Sequence, residues 1–153
     1  MTTIDALNRE VVFRHLSADD AATMLSVWQM IEGNGLYGAA LFRQQLSQQS
    51  NCCHFGAISI SDRRGMGLVS LGWLGEFGKL TGLYVDPECR HRSIGFGLVS
   101  AACAKAADLG LTHVDLEVEQ ENLAAIQLYQ RCGFRLIGSS DETCHFRYPV
   151  NVT

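Results

Sequence analysis

The chain has 153 residues, 47% of them hydrophobic and 18% charged, with a formal net charge of -4. These values predict one globular domain over residues 1–153 and exclude a disordered or low-complexity protein. An acidic balance in which Lys79 and Lys105 are the only lysines argues against non-specific nucleic-acid binding, and the most apolar stretch, residues 66–74, is too short to span a bilayer. Residues 11–16 read as a first strand, after which Ser17 is placed to cap an Ala/Met/Leu-rich helix running to about residue 31. Gly33-Asn34-Gly35 breaks that helix. Leu41, Phe42 and Leu46 then recur at helical spacing within a second helix over residues 36–49.

Strand-like segments follow at residues 54–60, 66–74 and 79–85, and the short connections between them predict an antiparallel meander. Pro87 stops the third. Ile94, Leu98, Ala101, Ala102, Ala106 and Leu109 trace one face of a helix over residues 93–109, with Gly110 as its terminator. Residues 113–119 alternate apolar and acidic side chains, as a strand with one covered face does. A helix over residues 123–132 ends at Gly133, and strands at 135–137 and 145–150 close the order β, α, α, β, β, β, α, β, α, β, β. There is no repeat and no interdomain linker.

Six cysteines, at 52, 53, 89, 103, 132 and 144, form no CxxC pair and no zinc spacing, and the five histidines are dispersed. The chain opens without a charged-then-apolar leader. Reduced thiols, a cytoplasmic location and no metal are expected. Cys89 and Cys132 flank the candidate site described next, but neither has a His/Asp partner spaced nearby to make it a nucleophile.

Between Val85 and Leu98 a strand stops at proline, turns through two arginines and enters a helix through small residues. The first N–H groups of a helix have no intrahelical acceptor and carry the positive end of its dipole, so a diphosphate can occupy them, with Arg90 and Arg92 adding charge. Gly95 and Gly97 alone would more simply serve close packing of helix on sheet. A dinucleotide fingerprint would need a third glycine at position 100, which is Ser100.

Leu83-Tyr84-Val85-Asp86-Pro87-Glu88, followed by Arg90-His91-Arg92-Ser93-Ile94-Gly95 and Leu98, resembles motif A of the GNAT acetyltransferase superfamily, Q/R-x-x-G-x-G/A. The frame opening at Arg92 matches letter for letter and ends at Gly97; the frame opening at Arg90 has Ser93 for the first glycine. We adopt the second, which keeps the family's spacing from the proline and makes Leu98 the first core leucine of the helix. Ser93 retains the peptide N–H, and its hydroxyl is placed to cap the helix. A positive φ at position 93 would strain it.

Asn122, Ala125-Ile126, Leu128-Tyr129 and Gly133-Phe134 resemble the family's second signature. Counted on a helix from Asn122, Tyr129 lies about 20° short of two turns on, so both side chains are expected on one side, roughly 10 Å apart. The resemblance implies an α/β (α+β) fold with a mixed, mostly antiparallel central sheet of about seven strands, helices on both faces, and a splay that admits acetyl-CoA. It assigns coenzyme A to Leu83, Tyr84, Val85, Arg90, His91, Arg92, Ser93, Ile94, Gly95, Phe96 and Asn122. Tyr129 would protonate the departing thiolate, Glu117 would be the base that deprotonates the amine, and the backbone before Val85 would supply the oxyanion donors. Glu76 is a weaker candidate base, and Glu117 read from alternation alone belongs to the solvated face of its strand.

The activity implied is transfer of an acetyl group from acetyl-CoA to a small-molecule or peptide amine by direct attack. The rival is a non-catalytic acyl-CoA sensor or protein-interaction module of the same fold. No nucleic acid, membrane or metal is expected, and a homodimer is compatible with the sequence.

Overall fold

The structure, a computed structural model, describes residues 2–4, 10–31, 33–48, 50–90 and 93–150. Eight strands form one sheet in the order β1-β2-β3-β4-β5-β6-β8-β7. They are β1 (Thr2–Ile4), β2 (Glu10–His15), β3 (Cys52–Ser59), β4 (Gly65–Leu74), β5 (Phe77–Val85), β6 (His113–Glu119), β7 (Arg135–Ser140) and β8 (Thr143–Pro149). The helices are α1 (Ala21–Met30), α2 (Ala39–Ser47), α3 (Ile94–Asp108) and α4 (Leu123–Arg131), with one-turn 3-10 helices at Ala18–Asp20 and Pro87–Cys89. The strand beyond the expected seven is β1, which pairs antiparallel with β2 at the sheet edge; three residues are too few to show a period. No helix among the described residues is long and apolar enough to cross a membrane.

The meander β3-β4-β5 is antiparallel, as expected. One neighbouring pair, β5 and β6, is parallel, and it holds only from Phe77–His113 to Lys79–Asp115. Past Lys79 the two strands part. β6 stays bonded to β8 over all seven of its residues, while β5 continues along β4, so the sheet splays between residues 80–85 and 116–119.

Alternation assigns the two faces. Val69, Leu71, Leu80, Val114, Leu116 and Val118 point into a core covered by α3 and α4, which contribute Leu98, Ala102 and Tyr129. Ile58 and Leu68 point the other way, into a smaller core under α1 and α2 built from Met24, Val27, Trp28, Phe42 and Leu46. Trp28 and Phe42 stack at 4.7 Å and tie those helices together. α2 starts later than expected because Gly38 is its N-cap, and Leu36 is left 98% exposed in the connection.

Helix ends fix the elements that border the splay. In α3, Leu111 N–H reaches the Ala106 carbonyl and Gly110 N–H reaches Ala107, both at 3.0 Å, around Gly110 at φ +74°. The end of α4 repeats this Schellman pattern, with Phe134 N–H on the Tyr129 carbonyl at 2.9 Å and Gly133 at φ +100°. The second motif also brings the rings of Tyr129 and Phe134 edge to face at 5.8 Å.

Gly97 sets how closely α3 approaches the sheet, since a Cβ there would lie 2.1 Å from Cζ of Phe13. Gly97→Ala is therefore expected to lower stability by about 1–3 kcal/mol through overpacking, read as a lower urea midpoint. Adding Phe13→Leu should recover part of the loss, and simple additivity of the two changes would separate the sites.

Candidate active site

On β4, one residue, Val69, separates Leu68 from Ser70; on β5, Gly82 and Leu83 both lie between their partners Tyr84 and Thr81. This is a β-bulge, and Gly82 at φ +62° supplies the left-handed residue it needs. The bulge restores Leu83 and Val85 to the α3/α4 face and puts Tyr84 on the α1/α2 face. Because β6 has diverged, the outer edge of residues 80–85 has no strand partner among the described residues. Unpaired N–H and C=O groups on a sheet edge are a template for another extended, amide-bearing chain.

The turn after β5 is held from outside the motif. Arg64, in the β3–β4 connection, bonds Asp86 at 2.6 Å and Glu88 at 2.8 Å. Asp86 is buried and also accepts from Glu88 N–H at 3.0 Å, capping the 3-10 turn. Those bonds raise the Arg64 pKa further, so its charge is permanent. Arg90 then folds back, donating from Nε to the Val85 carbonyl at 3.0 Å while its guanidinium lies 5.4 Å over the Tyr84 ring. His91 and Arg92 lie outside the described residues.

Ser93 is the N-cap of α3 at φ +63°, ψ +11°, the left-handed conformation in which a non-glycine residue is strained. Its hydroxyl makes no capping bond, contrary to expectation. A cap side chain reaches the second and third helical amides from extended backbone, and this residue is not extended. The N–H groups of Ile94, Gly95 and Phe96 thus open α3 without intrahelical acceptors.

These pieces surround a cavity of about 340 Å³. β5 contributes Leu83, Tyr84 and Val85, the turn contributes Cys89 and Arg90, and the start of α3 contributes Ser93, Ile94, Gly95 and Phe96. The wall opposite is α4, through Asn122, Ala124, Ala125, Leu128 and Arg131. Every described residue assigned to coenzyme A from the sequence is therefore in one cavity. Gly97 is not, because it lies against Phe13. Sequence reasoning missed Arg131, a second cation; the 4- and 3-residue steps from Ala124 to Leu128 to Arg131 were the available signal.

Asn122 lines the cavity and Tyr129 does not. The helical count from Asn122 fails because this residue precedes the helix, with φ -83° and ψ 72°, and its Oδ1 is turned back to accept from Ala125 N–H at 3.2 Å. Tyr129 stands beside the wall, next to Leu128 and only 8% exposed, and its hydroxyl has no hydrogen-bond partner among the described residues. Burial pushes the phenol up to about 12. The same environment pushes the Cys132 thiol up to about 11 and Cys103 to about 12, so both are protonated at neutral pH.

Glu117 lies outside the cavity wall. It projects from β6 on the α1/α2 side, 53% exposed, 3.5 Å from Lys79 and 3.8 Å from His145. Its neighbour on that face, Asp115, is bound through both oxygens by Arg147 at 2.8 and 2.9 Å, which holds its carboxyl below the usual range. Glu76 is in the two-residue turn joining β4 and β5, where its carbonyl accepts from Thr112 N–H at 2.8 Å. Among the described residues no three His, Cys, Asp or Glu side chains are grouped to hold a metal ion.

Residues 20–134 match the family model described as Acetyltransferase (GNAT) family. A mycothiol acetyltransferase of Clavibacter michiganensis subsp. michiganensis is 38% identical over 71 residues, 44% of this chain and 23% of that protein. An uncharacterized N-acetyltransferase of Methanocaldococcus jannaschii is 39% identical over 59 residues, 39% of this chain and 26% of that protein. The matches thus span about a quarter of these relatives' length. Among solved structures, the GNAT domain of S. lividans PAT superposes with a TM-score of 0.79 at 13% identity, covering 97% of this chain and 96% of that one. The paiA N-acetyltransferase of Thermoplasma acidophilum, in complex with coenzyme A, gives 0.71 at 19% identity, covering 91% and 98%.

Replacing Ser93 by glycine should remove the left-handed strain without disturbing the amides. The expected gain is about 1 kcal/mol, seen as a higher thermal midpoint of the ligand-free protein. Ser93→Val, β-branched at the same φ, should lower it.

Proposed function

We infer, from a chain that belongs to the acetyltransferase (GNAT) family, that this protein is an N-acetyltransferase carrying an acetyl group from acetyl-CoA to a primary amine. The observation that carries this reading is the coincidence, in one cavity, of an unpaired β5 edge with the amide-bearing start of α3. A diphosphate suits the α3 amides, with Arg90 and Arg131 as counter-charges, and the amide-bearing arm of coenzyme A suits residues 83–85. The bound thioester would supply the activated acetyl group.

The chain's residues divide the remaining work. N–H groups at the Gly82–Leu83 bulge are preorganised donors for the charge that develops on the carbonyl oxygen. Tyr129 donates its proton to sulfur as the C–S bond breaks. A phenol near 12 is a poor acid toward a thiolate near the ordinary 8.5. Burial acts in the same sense on the neighbouring Cys132 thiol, lifted to about 11. A coenzyme A thiolate shielded from water would be raised in the same direction, which narrows the gap between donor and acceptor. Glu117 stands on the opposite side of the splay from α3 and α4, already engaged by Lys79, where its carboxylate would draw in the ammonium of the acceptor.

The sensor reading retains one supporting observation, that Tyr129 stands outside the cavity wall. The two separate on incubation with acetyl-CoA and a panel of polyamines, amino sugars, amino acids and peptides while free thiol is followed. Amine-dependent thiol release is expected; tight binding of acetyl-CoA without release would favour the sensor. Tyr129→Phe should lower kcat about 100-fold while the Kd for coenzyme A by calorimetry moves less than about 2-fold. Since Tyr129 stays protonated up to about 12, the wild-type rate should show no alkaline fall below about pH 10.

A further inference from the structure

The acceptor amine must lose a proton before it can attack. We propose that Ser70 and His54 form the relay that removes it, with Ser70 meeting the amine and His54 receiving the proton through Ser70. This rests on the acetyl-transfer reading above and names its missing base.

His54 on β3 is directly opposite Ser70 on β4, and Ser70 is opposite Thr81 on β5. Cys53, Phe55, Val69, Leu71 and Leu80 all point into the α3/α4 core, so this row of three projects from the other face of the sheet. That is also the face of Glu117 and Lys79. His54 Nδ1 and Ser70 Oγ are 2.7 Å apart, a short hydrogen bond between half-buried side chains. Ser70 also borders the bulge: the position of a Cβ on Gly82 is 3.9 Å from Ser70 Oγ. The hydroxyl therefore lies within one side chain's reach of the amides assigned to the thioester, on the face of the sheet opposite α3 and α4.

The imidazole is suited to the task. Burial lowers the His54 pKa, and His15 on β2 acts in the same sense, so the ring is neutral and open to a proton at pH 7. Other charged groups around it are engaged or distant: Arg14 on β2 pairs with Asp20 at 3.3 Å and Lys79 on β5 with Glu117 at 3.5 Å. α1 has no titratable side chain, and α2 has only Arg43, which is exposed.

The proton count closes. An ammonium proton passes to Ser70 Oγ as the serine proton passes to His54 Nδ1, leaving a neutral amine and an imidazolium. The amine forms the N–C bond, the C–S bond breaks, and Tyr129 protonates sulfur. The second N–H proton of the adduct replaces the one Tyr129 gave, and His54 releases the first to water.

The test uses the full chain with acetyl-CoA and the best amine of the panel, from pH 5 to 9. Wild-type kcat should rise through a limb below pH 6.5 and then level. His54→Gln, which keeps a hydrogen-bonding side chain but cannot carry the proton, and Ser70→Ala should each lose about 100-fold in kcat and the limb itself, with KM for acetyl-CoA unchanged. Loss below about threefold with the limb intact, in a protein that turns over amine, overturns the relay and leaves the acetyltransferase reading standing. Wild-type protein that binds acetyl-CoA but acetylates no amine removes both. Independently of turnover and of variant folding, imidazole ¹⁵N resonances of wild-type protein at pH 7.5 should show His54 Nδ1 unprotonated; a protonated Nδ1 donating to Ser70 reverses the bond and overturns the relay.

Discussion

The parting of β5 from β6 after three paired residues is the constraint from which the rest of the site follows. A parallel pair is ordinarily buried and continuous, and breaking it leaves a run of backbone amides facing nothing. Two competing loyalties force the break. β6 is held along its whole length by β8, with Asp115 and Arg147 locking the middle of the ladder, while β5 follows β4 through a bulge that increases its local twist. The closed end of the V is tight, since a Cβ on Gly78 would lie 2.9 Å from Leu111 and 3.3 Å from Val114. The open end is lined by the start of α3 and by α4. Orphan amides of two kinds, strand edge and helix start, thus converge on one opening.

Such an arrangement needs support, and most of it comes from residues outside the cavity. Ser93 occupies a conformation that costs about 1–2 kcal/mol. Arg64 provides the support from a different hairpin, gripping Asp86 and Glu88 and so fixing where the turn leaves β5. Arg90 adds a second clasp on the Val85 carbonyl. Gly97 makes the third contribution by letting α3 settle against Phe13, which sets the height of its first amides above the sheet. Strain at Ser93 is thereby over-determined by contacts made on both sides of the cavity wall.

Much of this was legible in the residues. The alternation of residues 113–119 located β6 to the residue, because one face is buried and the period is 2. The proline-arginine-glycine turn located the cavity wall. What escaped depended on geometry that spacing does not encode. The helical count from Asn122 assumed that the cap belongs to the helix, and one residue's change of φ and ψ moved its side chain back onto Ala125. Arg131 carries no motif. The capping role expected of Ser93 failed on the sign of a single φ. His54 and Ser70, sixteen residues apart, meet only because of the β3–β4 register, which itself shifts at Ala57/Ile58.

The two faces of the sheet present different chemistries to the opening. On the α3/α4 side the environment is apolar and raises the pKa values of Tyr129, Cys103 and Cys132. On the α1/α2 side, beyond the cover of those helices, Lys79, Glu117, His145, Asp115 and Arg147 form a half-exposed polar floor in which each acid has a cationic neighbour. A leaving thiolate is best quenched where protons are held tightly and water is excluded, whereas an incoming ammonium is best received where charge is tolerated and a proton can escape to solvent. The bulge at Gly82 lies on the strand between these environments, and by inserting one residue it allows Leu83 to face the first and Tyr84 the second. The difference between the two faces of the opening is thus set by the side-chain parity of a single strand.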